Sequence, residues 1–127
     1  MAEAAPIRVL VVDDERMFTD ALTAVLEQDG RFEVVGAAAS GREAVRLAKD
    51  GRAEVVLMDM SMPVLDGPAA TRKLVALDHG PCVIALSGHT DSLSRTAALD
   101  AGASAFVNKS EAFDELVHTI LETYGRS

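Results

Sequence analysis

A chain of 127 residues, 49% hydrophobic and 25% charged, is long enough for one core of ordinary size and too apolar to remain disordered. Its formal net charge of −8 repels nucleic acid and anionic membrane, so this chain is not expected to bind DNA directly. One cysteine, Cys82, excludes a disulfide framework or a thiolate metal centre and reads as a small buried hydrophobe.

Short apolar runs alternate with amphipathic stretches, with no internal repeat, low-complexity tract or linker, which predicts a single domain over residues 1–127. The start carries no basic n-region and no apolar run is long enough to span a bilayer, so the expected location is the cytoplasm. Ile7–Val12 is a β-branched first strand that ends in Asp13 and Asp14. Phe18, Ala21, Leu22, Val25 and Leu26 mark one face of a helix over Arg16–Gln28, with Gly30 expected to stop it. Residues 32–37 form a second strand. Ser40-Gly41-Arg42-Glu43 has the form of a capping box and opens a helix that runs through Lys49 and ends near Gly51.

Residues 55–58 are a third strand, ending at Asp59. The loop 60–67 leads to a helix reaching about Leu77, closed by Gly80-Pro81. Residues 83–86 are a fourth strand ending at Ser87, and residues 91–101 a fourth helix stopped by Gly102. Ala105–Asn108 is a fifth strand ending at Lys109. Phe113, Leu116, Val117, Ile120, Leu121 and Tyr124 stripe the last helix as core, with Tyr124 and its neighbours placed to extend into a dimer contact.

Strands apolar on both faces, each followed by a helix, predict an α/β fold with an open, doubly wound parallel sheet of (βα)5 form. Right-handed crossovers put every strand's C-terminal end on one edge. Asp13, Asp14, Asp59, Ser87 and Lys109 should therefore converge on one crevice. Three carboxylates there cannot all stay ionised cheaply, and one lysine leaves an excess of negative charge. A hard dication held by oxygen completes the balance, and Mg²⁺ suits few carboxylates with several waters. Such a metal, Lys109 and the Ser87 hydroxyl would balance the charge of a phosphoryl group, with one carboxylate left as nucleophile. Asp13 and Asp14 look like a metal-holding pair. Asp59 stands alone on the third, central strand and is the better nucleophile by position.

These residues carry a resemblance. Val11-Val12-Asp13-Asp14, Leu57-Met58-Asp59 with its loop to Gly67, Ala85-Leu86-Ser87-Gly88 and Phe106-Val107-Asn108-Lys109 resemble the receiver domains of two-component response regulators, in register from about Ile7 to Tyr124. The resemblance implies the flavodoxin-like strand order 2-1-3-4-5. It also implies Asp59 as phospho-acceptor and Mg²⁺ (or Mn²⁺) on Asp14, Asp59 and the Ser61 backbone carbonyl, with Asp13 acting through water. Ser87 and Lys109 would contact the phosphoryl group. Ser87 and Phe106 would form a switch altering the surface of the fourth helix, fifth strand and fifth helix. Ser61 and His89 would tune the lifetime of the phosphorylated state. The donor would be a sensor histidine kinase or an acyl phosphate, and homodimerisation is a further implied partnership.

The texture of Glu33-Val34-Val35-Gly36-Ala37-Ala38 and Ala101-Gly102-Ala103-Ser104-Ala105-Phe106 is similar to receivers that precede a LuxR/NarL-type helix-turn-helix. Such a domain would follow only in a longer protein. Two departures stand out: Ser110 follows Lys109 where many receivers have a cis proline, so a trans bond is expected, and the switch aromatic Phe106 lacks a hydroxyl.

Three competing readings are weaker. An aspartate-dependent phosphatase of the haloacid dehalogenase type needs an acid two residues past the nucleophile, where Ser61 stands. A flavin carrier needs a phosphate-cradling first loop, where Asp13-Asp14-Glu15 stands. A degenerate receiver serving only as a binding module is weakened by the complete set of site residues. The chain is thus expected to be a switch, not a turnover enzyme. His79 and His118 read as solvated.

Overall fold

The computed structural model describes residues 5–61, 67–88 and 92–124. Its elements run β1 (Ile7–Val12), α1 (Arg16–Gln28), β2 (Phe32–Ala38), α2 (Gly41–Gly51) and β3 (Val55–Asp59) in the first half. They continue with α3 (Gly67–Val75), β4 (Cys82–Ser87), α4 (Ser92–Ala101), β5 (Ala105–Asn108) and α5 (Ala112–Thr123). All five strands are parallel in the order β2-β1-β3-β4-β5, the flavodoxin-like arrangement expected. β1 and β3 lie inside the sheet, and their apolar residues are fully buried.

Alternation along the strands divides the core into two layers. Leu10, Val12, Val56, Met58, Val83 and Ala85 pack with Ala44 and Ala48 of α2, Ala70 and Leu74 of α3 and Ala98 of α4. Val9, Val11, Val55, Leu57, Ile84 and Leu86 pack with Leu22 and Leu26 of α1 and Leu116 and Ile120 of α5. The three-helix face is built mainly from alanines, which let helices lie close to the sheet. Two helices fill the other face with larger leucine and isoleucine side chains. No helix among the described residues is long and apolar enough to cross a membrane.

The helix ends differ from expectation in informative ways. Gly30 is not in a left-handed conformation. Instead Asp29 ends α1 in extended backbone, and its carboxylate accepts the Arg31 N–H at 3.1 Å, an Asx turn doing the work assigned to glycine. α2 ends at Gly51 as expected, and the left-handed residue that caps it is Arg52 at φ 55°. Ser40 does cap α2, accepting from Glu43 N at 3.2 Å, but the Glu43 carboxylate reaches past Ser40 to Ala39 N at 2.9 Å. α3 stops at Val75, where Leu77 N tightens onto Leu74 O. Gly102 ends α4 at φ 113° as expected.

Between β5 and α5 a 3₁₀ turn, Lys109–Glu111, was not anticipated. Asn108 caps it by accepting the Ser110 N–H at 2.9 Å, and no cis peptide occurs among the described residues. Phe113 is not core: it is 43% exposed and stands edge-on to Phe18 at 5.7 Å, beyond the end of the sheet. Cys82 is half-buried, not buried, because it opens β4 at the sheet's N-terminal edge.

Candidate functional site

Four strands bring their last residues to one edge, as chain direction in a parallel sheet requires. β1 delivers Asp13 one residue past its end; its N–H bonds Ala38 O at 3.0 Å, fixing the turn. β3 ends on Asp59 itself, and β4 on Ser87. Lys109 opens the 3₁₀ turn after β5. Asp13, Asp59 and Ser87 are each 2% exposed or less, while Asp14 faces solvent. One carboxylate oxygen from each of Asp13, Asp14 and Asp59 lies within 4.8 Å of the others.

The carboxylates are positioned by backbone. Asp13 Oδ1 accepts Glu15 N–H at 2.9 Å, and Asp59 Oδ1 accepts Ser61 N–H at 3.0 Å. Gly67 lies under this loop: a Cβ there would stand 2.5 Å from both Asp59 O and Met60 Cα, so only glycine lets α3 start so near the acid.

The charges do not balance. Burial pushes the Asp59 carboxyl up to about 6; the Ser61 N–H opposes this, the Asp13 charge adds to it, Lys109 opposes it and Asp14 adds to it. Lys109 Nζ stands 2.7 Å from Asp13 Oδ2 and 3.0 Å from Glu15 Oε1. Burial works against the ammonium, yet Asp13, Glu15 and Asp59 together raise its pKa above the ordinary value. Asp13 Oδ2 is buried, with the Lys109 ammonium as its close charged neighbour. Three converging carboxylates with one ammonium beside them suit a small oxygen-seeking cation.

Asp13, Asp14, Asp59 and Lys109 thus lie together, and Ser87 ends its strand at the same edge. Ser61 is exposed beside Asp59, and Phe106 is half-buried with the Arg95 guanidinium 5.3 Å from its ring centroid. His89 lies outside the described residues. His79 and His118 are exposed, the latter 3.3 Å from Glu122. Sequence reasoning missed Glu15 and Phe18, whose ring centroid is 4.5 Å from the Lys109 ammonium.

Comparison with known proteins adds a second line. The sequence profile of the response regulator receiver domain matches residues 9–121. The response regulator UvrY of Escherichia coli (strain K12) is 36% identical over 118 residues, 93% of this chain and 54% of UvrY. A protein-glutamate methylesterase/protein-glutamine glutaminase of Shewanella denitrificans is 40% identical over 104 residues, 81% of this chain and 27% of that protein. The signal receiver domain of the response regulator NarL from Mycobacterium tuberculosis superposes with a TM-score of 0.89 at 29% identity, over 95% of this chain and 98% of that one. The chain therefore spans about half of one curated relative and about a quarter of the other.

Proposed function

The chain belongs to the response regulator receiver domain family of two-component signalling, and from that premise we propose that Asp59 is its phospho-acceptor. The observation that carries this is the convergence of Asp13, Asp14 and Asp59 within 4.8 Å, beside a lysine that cannot neutralise them all. An Asp59 carboxylate oxygen attacks the phosphorus of a phosphohistidine or acyl phosphate. The bond from phosphorus to the imidazole nitrogen or acyl oxygen breaks, and that group leaves with the electron pair. Ser87 and Lys109 then contact the phosphoryl oxygens.

Mg²⁺, or Mn²⁺ in its place, fits this donor set: Asp14, Asp59 and the Ser61 carbonyl would hold it directly and Asp13 through water. When bound it would offset the clustered negative charge and that of the phosphoryl oxygens. Ser87 and Phe106 act as the switch that reshapes the surface of α4, β5 and α5, while Ser61 and His89 set how fast the phosphoryl group is lost.

The domain spans residues 1–127, acts in the cytoplasm and is a switch, not a turnover enzyme. Its partners are a sensor histidine kinase and a second copy of the chain. An output such as transcription would lie with a helix-turn-helix domain if the chain is part of a longer protein, since the net charge of −8 disfavours DNA binding by this chain itself. Intact mass after incubation with acetyl phosphate and Mg²⁺ tests the core of this reading. One phosphoryl adduct is expected, lost in Asp59→Asn and with EDTA; an adduct that survives Asp59→Asn would overturn the assignment.

A further inference from the structure

Lys109 is held from an unexpected direction. Glu15 occupies the N-cap of α1, where a side-chain oxygen ordinarily accepts one of the helix's free N–H groups. Its side chain makes no such bond, and the first turn of α1 contains no other acid. The carboxylate instead crosses to the turn after β5 and takes the Lys109 ammonium at 3.0 Å. Its backbone N–H is tied to Asp13 Oδ1, while Asp13 Oδ2 stands at the same ammonium. Below lies the Phe18 ring, braced by Phe113. Among the described residues, the ion pairs of Lys109 are with Asp13 and Glu15, not with Asp59.

We propose that Glu15 is a positioning residue that competes with the incoming phosphoryl group for Lys109 and so restrains transfer to Asp59. The inference rests on the phospho-acceptor reading above. For Lys109 to meet phosphoryl oxygens on Asp59, its ammonium must leave Glu15. A contact present before transfer and absent after it stabilises the starting state alone, which slows the forward step and leaves the later hydrolysis of the aspartyl phosphate by water untouched. Released, the Glu15 carboxylate returns to the α1 N-terminus, whose partial positive charge favours it. Glu15 is 68% exposed at the side chain, so its hold is modest and the restraint graded.

Two variants test this, Glu15→Gln and Glu15→Asp. The first keeps the length and removes the charge; the second keeps the charge, is too short for Lys109 and is a good helix cap. Intact mass would follow adduct formation with acetyl phosphate and Mg²⁺, then adduct loss after the donor is removed. Both variants should accelerate formation about two- to five-fold, the range of an exposed ion pair, with unchanged loss. Glu15→Asp should also raise the thermal midpoint. Formation that is unchanged or slower would overturn the proposal. So would parallel changes in formation and loss, which would mark a merely structural role. A wild-type chain that forms no adduct would strike the phospho-acceptor reading first and this proposal with it, whereas normal wild-type behaviour beside inert Glu15 variants would strike this proposal alone.

Discussion

At the C-terminal edge of the sheet Asp59 is buried beside Asp13 and pushed up to about 6, whereas at the N-terminal edge Asp29 is gripped by Arg31 and drawn down to about 2. Asp29 takes two parallel bonds from the Arg31 guanidinium, at 2.9 and 2.7 Å. Nearby, Glu54 accepts from Arg8 N at 2.9 Å and from the Tyr124 hydroxyl at 2.6 Å. Acids at one edge are satisfied; at the other they are crowded and short of partners. A concavity of about 960 Å³ lies at the satisfied edge among Arg8, Arg52, His79, Cys82 and Tyr124. Unbalanced charge, not volume, marks the chemistry in this fold.

If the two edges are independent, matched lesions should separate them. The largest effects come from glycine. Gly80, like Gly67, would bring a Cβ within 2.5 Å of backbone, at Leu74 O. Gly67→Ala and Gly80→Ala should each cost about 1–3 kcal/mol by urea denaturation, but only Gly67→Ala should slow phosphorylation by acetyl phosphate. Equal slowing would show that the edges are coupled.

Next comes Asp59→Asn, expected to stabilise the metal-free protein by about 2 kcal/mol at pH 7–8. The folded pKa is raised from 3.8 to about 6, so the native state binds the proton more tightly than the unfolded one. Wild-type stability should therefore fall as pH rises from about 4 to 6, and the variant should lack that fall. Mg²⁺ should raise the wild-type denaturation midpoint more than that of the variant.

Smaller is Tyr124→Phe, which removes a hydrogen bond to a carboxylate and should cost about 1–2 kcal/mol with phosphorylation unchanged. Smallest is Asp29→Asn. The depressed pKa of Asp29 gives a contribution present above pH 4 and lost as pH falls towards 2, so the variant should be slightly less stable than wild type above pH 4 and should lack the fall between pH 4 and 2. Acid titration followed by circular dichroism would read the two edges in opposite directions.

Most of the fold was legible because a parallel sheet buried on both faces writes each strand as an apolar run, and Asp13, Asp59, Ser87 and Lys109 directly follow or close such runs. Direction alone then places them together. Glu15 was not legible: an acid just before a helix reads as its cap, and nothing local reveals a partner beyond β5. The stop of α1 was misread because the Asp29 side chain does there what was expected of Gly30. Phe113 has helical periodicity with the core stripe, but its position in the first turn carries it past the sheet edge.

Glu54 holds Arg8, in the first strand, and Tyr124, just past the last helix, through its two carboxylate oxygens. The polypeptide therefore enters and leaves this unit at one clasp. A unit with neighbouring ends can be joined to other domains, or inserted between them, without its sheet being stretched. The same clasp makes a circularly permuted version feasible: a short peptide could join the ends, and new ones could be opened in an exposed turn such as the one around Asp78 and His79. Architecture of this kind behaves as a cartridge, seated by its ends and working from the opposite pole.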